Sequence, residues 1–261
     1  MPQTPPALIV DHEGAIAHIR FNRPEVLNAA NRALALAFRD ACRAIEADPT
    51  VRVVVLSGAG RAFMAGGDIA EFRDNPSSIP DSLIDPLHEA LLCLSRLQAP
   101  VIASLHGAVA GAGMSIALGC DLAIAAEGTR LNFAYTKLAT SSDLGGSWHL
   151  PQLVGLRRAM EIALLCDTID AAHALQLGLV NRVVAAGALA SETEQWAQRL
   201  AAGAPIAMGM TKRLLRESAA RELTEQLDAE RAGFARCAAT QDFAAAVTAF
   251  LAKREPVFHG R

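Results

Sequence analysis

The residues best suited to chemistry lie in a glycine-rich turn between an apolar strand and an apolar helix. Val101–Leu105 is a short apolar run headed by Pro100, and residues 107–113 are all small, with three glycines. Met114–Leu118 predicts a buried helix. A helix that starts on such a turn presents free amide N–H groups and a positive dipole end, which suit an oxygen carrying negative charge. The alternative is that the glycines serve packing alone.

The same stretch raises the question of a membrane span. Leu97–Cys120 contains no Asp, Glu, Lys or Arg. Pro100, His106 and the glycines interrupt it where a spanning helix must continue. The sequence therefore disfavours a membrane protein.

Composition limits the remaining possibilities. The chain has 261 residues, is 52% apolar and carries a net charge of −3, which predicts a globular core and no general attraction for nucleic acid or an acidic membrane. Its five cysteines are scattered and lack metal-ligand spacing, so we expect thiols and no metal. The first ten residues lack the features of a signal peptide, and a cytoplasmic location is expected.

The elements that must position the turn follow from hydrophobic periodicity. Residues 7–10 and 15–21 predict a hairpin, 31–48 a helix capped by Asn31, and 51–56 a strand buried on both faces. A second small-residue loop, 57–68, precedes a helix over 82–97 that carries His88, and a short strand follows at 122–125. The order of elements predicts an α/β fold with a recurring strand, turn and helix.

The last third of the chain has a different pattern. Helices are predicted over 156–166 and 171–177, the latter capped by Asp170, with extended segments at 179–180 and 183–184. After Gly187 the pattern is entirely helical. We therefore expect a core over residues 1–187 and a helical region over 188–261 that serves packing or oligomerisation.

Several of these segments together resemble the enoyl-CoA hydratase/isomerase (crotonase) superfamily over nearly the whole chain. The segments that carry the resemblance are Asn22–Ala29, Gly58–Ile69, Pro100–Asp121, Leu150–Gly155, Gly178–Asn181 and Phe250–Phe258. The resemblance implies a spiral of ββα units and C-terminal helices that build trimers, often paired into hexamers. It also implies an acyl-CoA substrate and no cofactor besides the coenzyme A that the substrate carries.

The resemblance also assigns residues. It implies that the backbone N–H groups of Gly67 and Ala112 hold the thioester oxygen, and such donors are each worth roughly 10²–10³ in rate. Ala112 stands where many members have glycine, but only its amide is used. The residues that it implies for binding coenzyme A or the acyl group are Arg23, Ala65, Asp68, Ile69, Tyr135 and Lys253 or Arg254.

The chain departs from the two-glutamate hydratase pattern of the superfamily. The positions of those glutamates are Ser115 and Tyr135 here. Neither hydroxyl abstracts a proton near neutral pH, since an unperturbed tyrosine titrates near pH 10 and serine higher. Hydration by two glutamates is therefore disfavoured.

Asp143 is the carboxylate left in the loop where isomerase-like members carry an aspartate. One carboxylate suffices for a 1,3-proton shift, because it can remove a proton and return it elsewhere. Leu138, Leu144 and Trp148 are apolar neighbours that could raise its pKa toward that of a useful base. The competing interpretation makes Asp143 the N-cap of a following helix. Ser142 stands where isomerase-like relatives usually have proline.

His88 supports a different reaction from isomerisation. A histidine 55 residues before the aspartate and an aromatic residue eight before it, here Tyr135, are similar to the 4-chlorobenzoyl-CoA dehalogenase branch. There the aspartate is a nucleophile and the histidine activates water. Isomerisation through Asp143 is thus the first expectation, hydration the second and dehalogenase-like hydrolysis the third. A non-catalytic RNA-binding protein is a fourth, disfavoured by the acidic charge balance.

Overall fold

The computed structural model describes residues 5–261 and has an α/β architecture. Six strands form one sheet, in which only the first pair is antiparallel, and three short strands form a second sheet. The strands are β1 (Leu8–Glu13), β2 (Ile16–Phe21), β3 (Val53–Gly58), β4 (Val101–Leu105), β5 (Ala108–Ala110), β6 (Leu122–Ala126), β7 (Arg130–Asn132), β8 (Ile169–Asp170) and β9 (Arg182–Val184). The main sheet has the order β1-β2-β3-β4-β6-β9 and the smaller one β5-β7-β8.

Helices cover the main sheet on both sides and continue beyond it. They are α1 (Arg32–Glu46), α2 (Ile69–Asp74), α3 (Asp85–Arg96), α4 (Ala112–Gly119), α5 (Gly146–Val154), α6 (Leu156–Leu165), α7 (Ala171–Gln176), α8 (Leu189–Ala201), α9 (Pro205–Glu217), α10 (Leu223–Ala238) and α11 (Gln241–Leu251).

Strand β3 is packed on both of its faces, which explains why its sequence is a continuous apolar run. Val54 and Leu56 point into the larger core with α1 and α3, whereas Val53 and Val55 point to the other face. Leu189 and Ala197 of α8 cover that second face. Because neighbouring strand residues point in opposite directions, a strand packed on both sides needs apolar residues throughout. The two-faced strand is confirmed.

Other local predictions can be compared directly with the structure. The hairpin, the helix carrying His88 and the strand at 122–125 are confirmed. Asn31 caps α1 by accepting a hydrogen bond from the Leu34 N–H at 3.0 Å, and Asp170 caps α7. Residues 179–180, expected to be extended, belong to no strand and connect the turn at 177–178 to β9. The glycine-rich stretch, for which the sequence predicts a turn, also contains a short strand, β5.

The C-terminal helices attach to the core through a buried charge. Lys212 of α9 donates to the carbonyl oxygens of Leu94 and Ala99 at 3.1 and 3.0 Å and lies 2.8 Å from Asp121 Oδ2. Both α8, which packs on the main sheet, and α9, which packs on the end of α3, contact the core. The predicted boundary between the core (1–187) and the helical region (188–261) stays a prediction. Within residues 5–261, none of the helices has the length and apolar character that a membrane crossing requires.

Several helices leave large apolar side chains in solvent. Those of α6 and α9–α11 that are exposed include Leu156, Met160, Leu164, Leu165, Leu215, Leu223, Leu227, Phe234, Phe250 and Leu251.

Candidate active site

The glycine-rich turn and the loop after β3 run side by side, and a Cβ on Gly111 would lie 3.5 Å from Gly66 Cα. Met64 pairs with Val109 in a parallel bridge, and Ala110 donates to the Met64 carbonyl at 2.9 Å. Three residues further along the two segments come Gly67 and Ala112, the predicted donors. Among the residues the structure describes, no group accepts a hydrogen bond from either N–H. Ala112 begins α4, so its amide lies at the positive end of that helix.

Close backbone approach at this place requires glycine. A Cβ on Gly113 would lie 2.2 Å from the Met64 carbonyl oxygen, and one on Gly67 would lie 2.2 Å from Cζ of the Phe72 ring. The contact with the Met64 backbone excludes a side chain at Gly113, whereas a side chain at Gly67 would require the Phe72 ring to turn away. The absence of a side chain at Gly113 therefore lets α4 begin directly against the Met64 backbone, three residues before Gly67.

The Asp143 side chain is anchored by a tyrosine. The Tyr135 hydroxyl donates to Asp143 Oδ1 at 2.5 Å and lies 2.7 Å from Ser115 Oγ of α4. The three residues thus form one chain of oxygens between α4 and the loop before α5. The N-cap interpretation of Asp143 is wrong, because Gly145, with a φ of +71°, precedes α5 and no side chain caps that helix.

The environment of Asp143 alters its acidity. Burial raises the pKa of its carboxyl, while the hydrogen bond from Tyr135 acts in the opposite direction. Of the three predicted apolar walls, only Leu144 is buried, whereas Leu138 is 50% and Trp148 60% exposed. Burial likewise raises the pKa of the Tyr135 phenol, so Tyr135 is a neutral donor at pH 7.

His88 contacts the backbone beside the aspartate. Its Nε2 accepts a hydrogen bond from the Leu144 N–H at 3.2 Å. Since a backbone N–H can only donate, Nε2 is unprotonated in this arrangement and the ring proton is on Nδ1. Leu144 has a φ of +50°, a conformation that is costly for a bulky residue. His88 thus stabilises a strained peptide next to Asp143.

Two of the residues predicted to bind coenzyme A contact each other. Arg23 donates to Asp68 Oδ2 at 2.9 Å and to the Ala29 carbonyl at 2.6 Å, and Asp68 also caps α2. Ile69 is exposed at the start of α2. Ala65 donates its N–H to the Leu27 carbonyl at 3.0 Å, two residues before Gly67. These four predicted residues lie on one edge of the Gly67 segment.

Lys253 has no recorded polar contact with these residues in the described part of the chain. It follows α11, and no hydrogen bond or ion pair within residues 5–261 joins it to the Arg23–Asp68 pair. Arg254 likewise follows α11, with its N–H bound to the Ala249 carbonyl. Their predicted contacts with the nucleotide stay predictions.

A cavity of about 800 Å³ opens beside the aspartate loop, between α3, α5 and α9. His88, Leu144 and Trp148 line it, but Asp143, Gly67 and Ala112 do not. It therefore adjoins the candidate site without containing the groups expected to do the chemistry.

A second cluster of ionisable side chains lies elsewhere. The donor atoms of Glu13, His18 and Glu194 fall within 4.8 Å of one another, and His18 Nε2 is 3.8 Å from Glu194 Oε2. These residues belong to the β1–β2 hairpin and α8. They share no contact with the Asp143 loop.

Comparison with known proteins gives a consistent result. The family model described as enoyl-CoA hydratase/isomerase matches residues 11–261. A 1,2-epoxyphenylacetyl-CoA isomerase of Escherichia coli K12 is 34% identical over 97% of this chain and 98% of its own. A 4-chlorobenzoyl coenzyme A dehalogenase of Arthrobacter sp. is 34% identical, with 82% of this chain and 79% of the relative covered.

A solved structure agrees with the observed fold. A crystal structure of an enoyl-CoA hydratase from Polaromonas sp. JS666 superposes with a TM-score of 0.92 at 33% identity, and the match covers 97% of this chain and 99% of that one. The chain belongs to the enoyl-CoA hydratase/isomerase family and has the crotonase fold. The predicted family and fold class are confirmed.

Proposed function

We propose that this chain is an acyl-CoA enzyme that shifts a double bond of an enoyl-CoA through a thioester enolate, with Asp143 as the proton carrier. The observation that carries this proposal is the composition of the site. Asp143 is a partly buried carboxylate, and the two positions where a hydratase of the superfamily carries glutamates hold Ser115 and Tyr135. The two hydroxyls bind each other, and that of Tyr135 also donates to Asp143.

The proposed reaction uses one base twice. Asp143 removes a proton from C2 of a 3-enoyl thioester, and the electron pair moves through the dienolate onto the thioester oxygen. The N–H groups of Gly67 and Ala112 stabilise that oxyanion. Asp143 then returns the proton to C4, which gives the conjugated 2-enoyl thioester and restores the carboxylate. The step needs no water and no net gain or loss of protons.

Hydration is the second candidate, because the similar Polaromonas structure is of an enoyl-CoA hydratase. A hydratase must activate water as well as protonate carbon. With a hydroxyl at each glutamate position, one carboxylate would have to do both, which is why isomerisation is favoured.

Hydrolysis of the dehalogenase kind is the third candidate, supported by the Arthrobacter relative and by the spacing of His88 and Asp143. That chemistry needs a histidine base near the aspartate. The Nε2 lone pair of His88 is engaged by the Leu144 N–H, and Nδ1 carries the proton, so neither ring nitrogen offers a lone pair. This geometry favours isomerisation over hydrolysis.

The test is an absorption assay with matched variants. Purified protein is mixed with a linear 3-enoyl-CoA, and the conjugated 2-enoyl thioester is followed in the ultraviolet. We expect an absorbance rise that Asp143→Asn abolishes and the exposed control Asp167→Asn leaves intact. If wild-type protein binds the thioester but gives no rise, linear isomerisation is wrong, and 1,2-epoxyphenylacetyl-CoA and 4-chlorobenzoyl-CoA are the next substrates.

A binding protein without activity is the alternative from another class. RNA binding would show as retention on labelled RNA that weakens steeply between two salt concentrations. We expect no such binding, because the chain carries a net charge of −3.

Assembly and location belong to the same proposal. The exposed apolar side chains of α6 and α9–α11 support a homotrimer, alone or as a dimer of trimers. Light scattering after gel filtration distinguishes these from a monomer. The five cysteines are free thiols, which suits the reducing cytoplasm.

A further inference from the structure

The two hydroxyls of Ser115 and Tyr135 occupy a buried position that calls for an explanation beyond packing. Ser115 is fully buried and Tyr135 nearly so. The two hydroxyls are 2.7 Å apart, and that of Tyr135 is 2.5 Å from Asp143 Oδ1. Buried polar groups must be paired, and here the pairing ends at the candidate proton carrier.

The direction of this hydrogen-bond chain follows from its charged end. An ionised carboxylate can only accept, so the Tyr135 O–H donates to Asp143 Oδ1. Tyr135 has a single hydroxyl proton, and its oxygen therefore accepts from Ser115. The ionised form of Asp143 thus aligns both hydroxyls toward itself.

The chain also distinguishes the two oxygens of Asp143. Oδ1 is held by Tyr135, whereas no group in the described part of the chain bonds Oδ2. Oδ2 is therefore the oxygen left to take a proton. Rotation of the carboxylate would exchange the two oxygens, and the Tyr135 bond opposes it.

Packing fixes the tyrosine ring. Phe133 contacts it edge-on, with ring centroids 5.0 Å apart, and Gly146 allows α5 to begin directly against Ser115. A Cβ on Gly146 would lie 2.4 Å from Ser115 Oγ. The hydroxyl pair is thus enclosed between α4, α5 and the loop.

We infer that Tyr135, oriented by Ser115, is a positioning residue that holds Asp143 in its ionised form with Oδ2 turned to the substrate. This inference rests on the proposed function of Asp143 as the proton carrier. The hydroxyl pair replaces catalytic carboxylates with a fixed support for a single one. Tyr135 itself transfers no proton to the substrate in this scheme.

The groups facing Asp143 determine the expected pH effect. They are Tyr135 from the loop after β7, Ser115 behind it from α4, and His88 from α3. Removing the Tyr135 hydroxyl deletes a bond that favours the carboxylate, so the pKa of Asp143 rises. Because the base must be ionised, the acid limb of the activity profile moves to higher pH.

The experiment is a carbon-13 NMR titration of the Asp143 carboxyl, assigned with Asp143→Asn, which needs no turnover. We expect Tyr135→Phe to move the titration to higher pH and Ser115→Ala to move it less in the same direction. Ser104→Ala is the matched control, since it removes a buried hydroxyl from a different pair, 3.0 Å from Thr193 Oγ1. The control should leave the titration unchanged.

Kinetics give the second readout. In Tyr135→Phe we expect kcat to fall about 10- to 100-fold while KM changes little, because a hydrogen bond to a charged group is lost and the coenzyme A contacts are not. An Asp143 titration that is unmoved in folded Tyr135→Phe overturns the inference. If Tyr135→Phe does not fold, an unmoved titration in Ser115→Ala overturns it. An absence of isomerase activity in the wild-type protein would refute the proposed function. The carbon-13 titration would still test whether Tyr135 holds the Asp143 carboxylate.

Discussion

Replacing Gly113 with alanine tests whether the spacing of the two backbone N–H groups matters. The added Cβ would lie 2.2 Å from the Met64 carbonyl oxygen and 2.8 Å from Met64 Cβ, whereas ordinary contact begins at 3.4 Å. The two segments must therefore separate by about 1.2 Å (3.4 − 2.2). Gly113 adjoins Ala112, and Met64 leads into Gly67. The separation consequently acts on the pair of donors.

The size of the effect follows from that displacement. A misplacement of about 1 Å in a catalytic site costs on the order of 10²-fold, similar to the loss of one oxyanion donor. We expect kcat/KM of Gly113→Ala to fall about 100-fold. Overpacking destabilises by about 1–3 kcal/mol and the better helix propensity of alanine returns up to about 1 kcal/mol, so the protein stays folded.

The measurement combines two assays and one control. Isomerisation is followed in the ultraviolet, and exchange of the C2 hydrogen of a saturated acyl-CoA in D₂O is followed by NMR, since exchange needs the enolate but no double-bond shift. Gly187→Ala is the control, because its Cβ meets nothing within 4 Å. Full activity and exchange in Gly113→Ala, with a reduced Tm that proves the strain, would refute the reasoning.

Three further predictions concern other groups of the site and its support. His88→Ala should lower kcat about tenfold, because the strained Leu144 peptide loses its hydrogen-bond acceptor. In His88→Gln, Oε1 can accept the same N–H, so most of the kcat should be restored. A glutamine variant as slow as His88→Ala would indicate that His88 acts as a base and not as a support for the peptide. The kcat/KM profile of the wild type should rise with pH through the pKa of Asp143, at higher pH than an ordinary aspartate because burial raises that pKa, and the rise should be absent from the residual activity of Asp143→Asn. Lys212→Met should lower the free energy of unfolding in urea by about 1–3 kcal/mol, because the buried carbonyl oxygens of Leu94 and Ala99 lose their donor, and the exposed control Lys137→Met should change it little. Asp121 keeps its ion pair with Arg216 in this variant.

Local sequence signals predicted the elements but not the links between them. The Asn31 cap and the two-faced strand β3 follow from residue types within a few positions, and both are present. Leu179 and Val180 are buried in the core, but they lie outside any strand, in the connection between the turn that follows α7 and strand β9. An apolar pair alone does not distinguish a strand from a turn that reaches the core.

The chain of hydroxyls was beyond the reach of sequence patterns. Ser115 lies on α4, whereas Tyr135 and Asp143 lie in the connection between β7 and α5, and the packing of α4 against α5 brings the three together. The sequence shows only that Ser115 and Tyr135 stand where a hydratase of the superfamily carries glutamates. The positive φ of Leu144 left no signal, because leucine rarely adopts it and nothing in the sequence predicts that His88 stabilises it.

The use of main-chain donors separates what can change in this site during evolution from what cannot. Mutation at Ala112 to any residue but proline keeps the amide, whereas a side chain at position 67 would first have to displace the Phe72 ring. Under the proposed mechanism, side chains around the thioester oxygen can therefore be exchanged while the two amides that would stabilise an enolate are kept. A lineage built on this frame can acquire a new reaction through one or two substitutions at positions such as 115 and 135, without passing through an inactive ancestor.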